Sequence, residues 1–183
     1  MGRILEIVKQ GHPVLQKRAE EVSLLNLAQT QNLIDDLFHT VNRAQGMGIA
    51  APQVGVSKRI FIMSSRPCDR YPQAPEMEPL AIINPEITWR STAEEKDWEG
   101  CLSVPDLRGL VSRHSAIGVR YCLRDGTVVE KDYQGFLARV FQHEWDHLEG
   151  VLFPQRVASP DHLMEERKWK AMIAAKNEKP AVT

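Results

Sequence analysis

A chain of 183 residues, 43% of them hydrophobic, is long enough to bury a core and short enough that one domain spanning 1–183 is the expectation. Its 23 basic residues nearly balance 24 acidic ones, and a net charge of -1 excludes a global field that would draw it to nucleic acid or an anionic membrane. No stretch is long and apolar enough for a membrane-spanning helix, and the start, MGRILEIVKQGHPV, lacks the apolar run of a secretory signal. Three widely spaced cysteines, Cys68, Cys101 and Cys122, suit a reducing compartment better than a disulfide framework. The expected setting is the cytoplasm, although a mature organellar chain stripped of its transit peptide would read the same way.

Taken in chain order, Leu33, Ile34, Leu37, Phe38 and Val41 recur on one helical face with Gly46 as a stop, which predicts an amphipathic helix over roughly 26–45. A Gly-rich turn at 46–53, a short buried strand at 59–63 and a proline-rich loop at 67–79 follow. Residues 80–87, 109–123 and 127–133 carry β-branched and apolar side chains, and Asp125-Gly126 between the last two is a hairpin signal. From Gly135 the period changes. Leu137, Val140, Phe141, Trp145 and Leu148 describe a helix apolar on more than one side, hence buried, that ends near Gly150. After Pro154 and Pro160, DHLMEERKWKAMIAAK predicts a charged terminal helix capped by Ser159 or Asp161. There is no internal repeat or low-complexity run.

The buried helix carries His143-Glu144-Trp145-Asp146-His147. The four-residue step puts both imidazoles on one face, roughly 5–6 Å apart at Cβ, where they can grip one ion. A single histidine there would read as a core residue. A second at i+4, with a carboxylate between, is costly to bury without a purpose. A catalytic ion needs a third protein ligand and an open position. Metzincin-like spacing would put a histidine where Phe153 stands. Thermolysin-like spacing would use Glu165 or Glu166, which sit in a charged run that reads more simply as a solvated face. The thiolate of Cys101 is the third candidate.

Glu99-Gly100-Cys101-Leu102-Ser103, with GMGIAAPQ at 46–53 and QHEWDH at 142–147, resembles the three signature motifs of the peptide deformylases, in the family's order. The resemblance runs from ILEIVKQGHPVLQKRAEEV to the terminal helix, whose helical character is similar to the family's first type. It implies an α+β fold, with antiparallel sheets around the buried HExxH helix, an N-terminal amphipathic helix and a C-terminal helix. It implies that Cys101, His143 and His147 hold one divalent ion, Fe2+ by family habit, with Zn2+, Ni2+ or Co2+ able to replace it. The implied reaction removes the N-formyl group from N-formylmethionyl nascent peptides. Metal-activated water attacks, Glu144 acts as general base and then acid, and the amide of Gln53 and the backbone N–H of Leu102 stabilise the oxyanion.

The same resemblance groups Met47, Gly48, Gly100, Arg108, Phe136 and Arg139 as substrate-binding residues around a pocket for methionine. Asp97 and Arg139 stand where relatives commonly carry aliphatic residues, so a more polar rim is expected if both line the pocket. Glu99, Arg113 and Asp146 are either partners that orient the ligands or surface charges. Arg167, Lys168 and Lys170 offer a transient ribosome contact, against the simpler reading of a solvated helix. No nucleic-acid-specific site and no membrane partner are expected. Cys68, Cys122, His12, His39, His114 and His162 receive no role. The competing functions are another metallohydrolase or peptidase of the same fold, and a metal-binding relative without catalysis.

Overall fold

The computed structural model describes residues 2–23 and 27–177. Helix α1, Leu27–Arg43, precedes strand β1, Gly48–Ala50, and β2, Ile60–Ser65. Four long strands follow: β3, Met77–Arg90, β4, Glu94–Cys101, β5, Val104–His114, and β6, Ala116–Cys122. Then come β7, Val128–Gln134, helix α2, Gly135–Leu148, the short β8, Leu163–Glu165, and helix α3, Glu166–Asn177. A five-stranded sheet has the order β1-β2-β3-β6-β7, a three-stranded sheet the order β4-β5-β8, and all their pairings are antiparallel. The fold is α+β. Among the described residues no helix is long and apolar enough to cross a membrane.

The continuous apolar run of β2 explains the layering. Successive side chains of a strand point to opposite faces, and every residue of β2 is buried because both faces are covered. Ile60 and Ile62 pack with Ile34, Leu37 and Val41 of α1, while Phe61 and Met63 pack with Ala138, Val140 and Phe141 of α2. Phe141 is fully buried. Its ring meets Phe61 edge-on at 5.2 Å, with Tyr133 at 5.7 Å, so one aromatic cluster fixes how α2 lies on the sheet.

Both major helices end in the same way. Gln45, at φ 51°, takes the left-handed position after α1, and the Gly46 N–H closes onto the Val41 carbonyl at 3.0 Å. After α2, Gly150 takes that position at φ 73°, and the Val151 N–H closes onto the Asp146 carbonyl at 2.9 Å. The stop after α1 is thus made at Gln45, one residue before the expected glycine.

Two expectations are corrected, and one strand is added to them. The stretch expected as one strand over 109–123 breaks at Ser115: β5 belongs to the small sheet and β6 to the large one, so the chain changes sheets there. β4, Glu-Glu-Lys-Asp-Trp-Glu-Gly-Cys, gives almost no strand signal in sequence and exists because β5 supplies its ladder from Glu94–His114 to Cys101–Val104. The terminal helix begins at Glu166, since 160–162 form a 3-10 turn capped by Ser159 and Leu163–Glu165 pair with Leu107–Gly109 as β8. Three ladder positions on an open edge outweigh the helical propensity of that short segment.

Candidate active site

Two elements from different sheets meet at the site. α2 is laid against the large sheet by the Phe141 cluster and carries His143, Glu144 and His147, while β4 ends at Cys101. The ligating atoms of Cys101, His143 and His147 lie within 4.8 Å of one another. Cys101 Sγ is 3.3 Å from His147 Nε2. His143 donates from Nδ1 to Glu99 Oε2 at 2.9 Å, which leaves Nε2 for the cluster.

Burial opposes charge on both imidazoles, and their surroundings then separate them. Hydrogen bonds to Cys101 and Glu99 hold the His143 pKa well above the usual value, whereas burial and the neighbouring His143 hold that of His147 well below it. Glu144 is buried, one oxygen of its carboxylate has no hydrogen-bond partner, and desolvation pushes its pKa up to about 7. A thiolate and two imidazoles around one point, beside an unpartnered carboxylate, make a donor set that fits a divalent transition metal.

Gln53 is held from both ends. Its Oε1 accepts from the Ala50 N–H at 2.9 Å, and its Nε2 reaches Ser103 Oγ at 3.2 Å and Cys101 Sγ at 3.4 Å. The amide N–H groups therefore face the cluster. Leu102 stands at the tight turn between β4 and β5, and its carbonyl accepts from Lys9 Nζ at 2.9 Å. Glu99 is buried and bound at both oxygens by Arg113, at 2.9 Å each, and at Oε1 by Arg139, also at 2.9 Å. Arg113 turns its remaining nitrogen to Asp146 at 2.6 Å, and Arg156 binds the same carboxylate. Glu99, Arg113 and Asp146 are accordingly a buried network and not surface charges.

A pocket of about 350 Å³ opens beside the cluster. Met47, Gly48, Gln53, Gly100, Cys101, Leu102, Arg108, Phe136, Arg139, His143 and Glu144 all line it. His147 lies behind, at 1% exposure. Asp97 does not line the pocket. It is exposed, its carboxylate accepts from the Trp98 N–H, and Trp98 faces the pocket instead. Arg139 does line it, but its guanidinium is turned onto Glu99, the Val111 carbonyl and the Glu95 carbonyl, so its stem forms the wall. The expected polar rim required both residues in the lining, and Asp97 is not there. Of the rival third ligands, Glu165 pairs with Lys168 and Glu166 with Arg108, and the Phe153 ring stacks near His143 at 6.5 Å.

Tyr71 and Ser103 escaped the sequence reading. Tyr71 comes from the proline-rich loop, packs on Phe136 at 5.2 Å and accepts from Arg108, and nothing in the loop's composition signals it. Ser103 is fully buried, and its place as the last residue of the Cys101 motif is the sign that the sequence offers, although no role was assigned to it there.

The site and frame define an α+β protein with a Cys/His/His metal site and a buried carboxylate in a peptide-sized cleft. The family model described as "Polypeptide deformylase" matches residues 4–162. Peptide deformylase 2 of Nostoc sp. is 50% identical over 170 residues, 93% of this chain and 95% of the relative. A crystal structure of a class I type b peptide deformylase from Acinetobacter baumannii, bound to Met-Ala-Ser, superposes with a TM-score of 0.84 at 45% identity, covering 86% of this chain and 100% of that one. The peptide deformylase from Thermotoga maritima superposes with a TM-score of 0.76 at 38% identity, covering 86% and 99%. The chain belongs to the peptide deformylase family, metal-dependent hydrolases that remove the N-formyl group from nascent peptides.

Proposed function

We propose that this chain acts as one catalytic unit, with Cys101, His143 and His147 as ligands of a single divalent ion and Glu144 as the proton carrier. The observation that carries the reading is the unpartnered, buried Glu144 oxygen beside the ligand trio at the base of an open pocket. Fe2+ is the proposed native ion, from the family resemblance. A thiolate with two imidazoles also suits Zn2+, Ni2+ or Co2+. When bound, the ion lowers the pKa of water and polarises the formyl oxygen.

The protein supplies the rest. Glu144 takes the proton of the attacking water and passes it to the amine nitrogen as the C–N bond breaks, a shuttle favoured by a pKa near neutrality. The Gln53 amide, fixed by Ala50 and Ser103, and the N–H of Leu102 donate to the oxygen on which negative charge develops. β1 is an edge strand, and Gly46, Met47 and Gly48 line the pocket, so an extended peptide can pair beside them and beside Gly100. Met47, Trp98, Phe136, Val140 and the Arg139 stem offer an apolar wall for a first side chain, and methionine is the proposed one. The Met-Ala-Ser held by the Acinetobacter relative supports that choice.

The cytoplasm is the proposed compartment, because formylated chains leave the ribosome there. A docking role for Arg167, Lys168 and Lys170 is the weaker reading, since Lys168 and Lys170 already pair with Glu165 and Glu166.

The decisive assay is formate release from an N-formyl-methionyl peptide by protein purified without oxygen and loaded with Fe2+ or Ni2+, beside Glu144→Ala. Formate from the unaltered protein, lost in the variant with its ion retained, is expected. No formate from the loaded protein would leave the ligand set standing and shift the substrate to an unformylated peptide.

A further inference from the structure

Glu99 is bound by more positive charge than a carboxylate of its size requires. Arg113 already reaches both of its oxygens, yet Arg139 also donates to Oε1, while Oε2 is shared by Arg113 and His143. The reason lies one step away. Arg113 also serves Asp146, so a single buried cation faces two buried carboxylates. Each carboxylate has a further guanidinium of its own, Arg139 on Glu99 and Arg156 on Asp146. Without Arg139, the charge of Arg113 would be divided between two anions in a site from which water is largely excluded, and Glu99 would be undercompensated.

Geometry adds a second constraint. Arg139 and His143 are four residues apart on α2, so they project from one face a turn apart, and they bind the two different oxygens of the same β4 carboxylate. The carboxylate plane is thereby clamped between two points of the helix. The Arg139 head cannot swing away, because the Val111 and Glu95 carbonyls hold it at 2.9 and 2.6 Å.

Resting on the ligand set proposed above, we infer that Arg139 is a positioning residue for the metal site: it acts through Glu99 to fix the ring of His143 and the strength of its donor nitrogen. With Oε1 held by Arg139 beside Arg113, Oε2 stays on His143 Nδ1, and the imidazole keeps its Nε2 toward Cys101 and His147. The same residue forms pocket wall with its stem, so ligand geometry and substrate wall share one side chain.

The test uses Co2+-loaded protein, whose visible ligand-field bands report the donor set directly, together with the rate at which a chelator strips the ion. Arg139→Leu is expected to shift the bands and to speed stripping by roughly 10-fold, the lower end of the loss of metal affinity that follows removal of a ligand's own partner, because Arg139 acts through Glu99. Arg139→Gln, which keeps an N–H donor but no charge, should fall between, and Arg139→Lys should restore bands close to the unaltered ones. Unchanged bands and stripping in both the Leu and Gln variants, with only a lowered melting temperature, would overturn the inference and leave Arg139 as a tie between helix and sheet. If the Leu variant does not fold, the Gln variant decides by the same two readouts. Failure of the unaltered protein to bind Co2+ would refute the ligand set itself and take this inference with it.

Discussion

The Cα of Gly48 lies against the carboxylate of Glu144, so closely that a methyl group there would overlap Oε1, Cδ and Cγ of that side chain. Strand β1 and helix α2 come from different parts of the chain, and the absence of a side chain on one leaves room on the other for the carboxylate proposed as proton carrier. Gly48→Ala is therefore expected to displace Glu144 and lower kcat by about 100-fold, near the lower bound of a general base's usual contribution. Formate release and thermal melting measured together check this, and an active, correctly folded variant would sink it.

The Glu144 carboxyl, held near 7 mainly by burial, also links proton uptake to stability in the ion-free protein. Its folded pKa lies above the unfolded value, so the folded state binds the extra proton. The contribution is fully present below about pH 4.5 and lost as pH rises through 7, on the order of 3 kcal/mol in all. Glu144→Gln removes that dependence. Ion-free Glu144→Gln should gain on the unaltered protein in melting temperature between pH 5 and 8, and parallel curves would contradict the assignment.

Arg113 joins the carboxylates of Glu99 and Asp146 inside the protein. Burial works against a charged Glu99, yet Arg113 and His143 hold its pKa well below the usual carboxylate range. That stability is present above about pH 4.5 and lost as pH falls toward the folded pKa. Arg113→Met leaves both carboxylates short of a partner and is expected to cost about 3–5 kcal/mol, a fall of roughly 10 °C in Tm. Calorimetry near neutral pH is the check. A Tm within 2–3 °C of the unaltered protein, roughly what 1 kcal/mol gives at this size, would show that the network contributes little.

Trp169 of α3 is 2% exposed, with the Arg108 guanidinium 4.2 Å above its ring. The terminal helix is thus anchored by an aromatic residue and is not merely a solvated face. Trp169→Ala should cost about 3 kcal/mol and expose α3 to limited proteolysis. Equal digestion rates for variant and parent would argue that Glu166 and Arg108 alone hold the helix.

The helical spacing of His143 and His147, the intervening Glu144 and the apolar faces of α1 and α2 were all legible in the sequence, because helix period and side-chain chemistry are local properties. So were the run that becomes β2 and the hairpin at Asp125-Gly126, which joins β6 to β7. Motif resemblance located Cys101 and Gln53. What the chain could not show by itself was long-range. β4 exists because β5 lies beside it, the Ser115 break appears only when two sheets compete for one run of residues, and β8 forms because the small sheet has an open edge. The same holds at the site. Asp97 and Arg139 look alike in sequence as charges near the pocket, but Asp97 lies in the exposed first half of β4, while Glu99 and two carbonyls draw the Arg139 head into the interior. Residue type fixed which chemistry was available, and only the packing of α2 against both sheets decided which groups would meet.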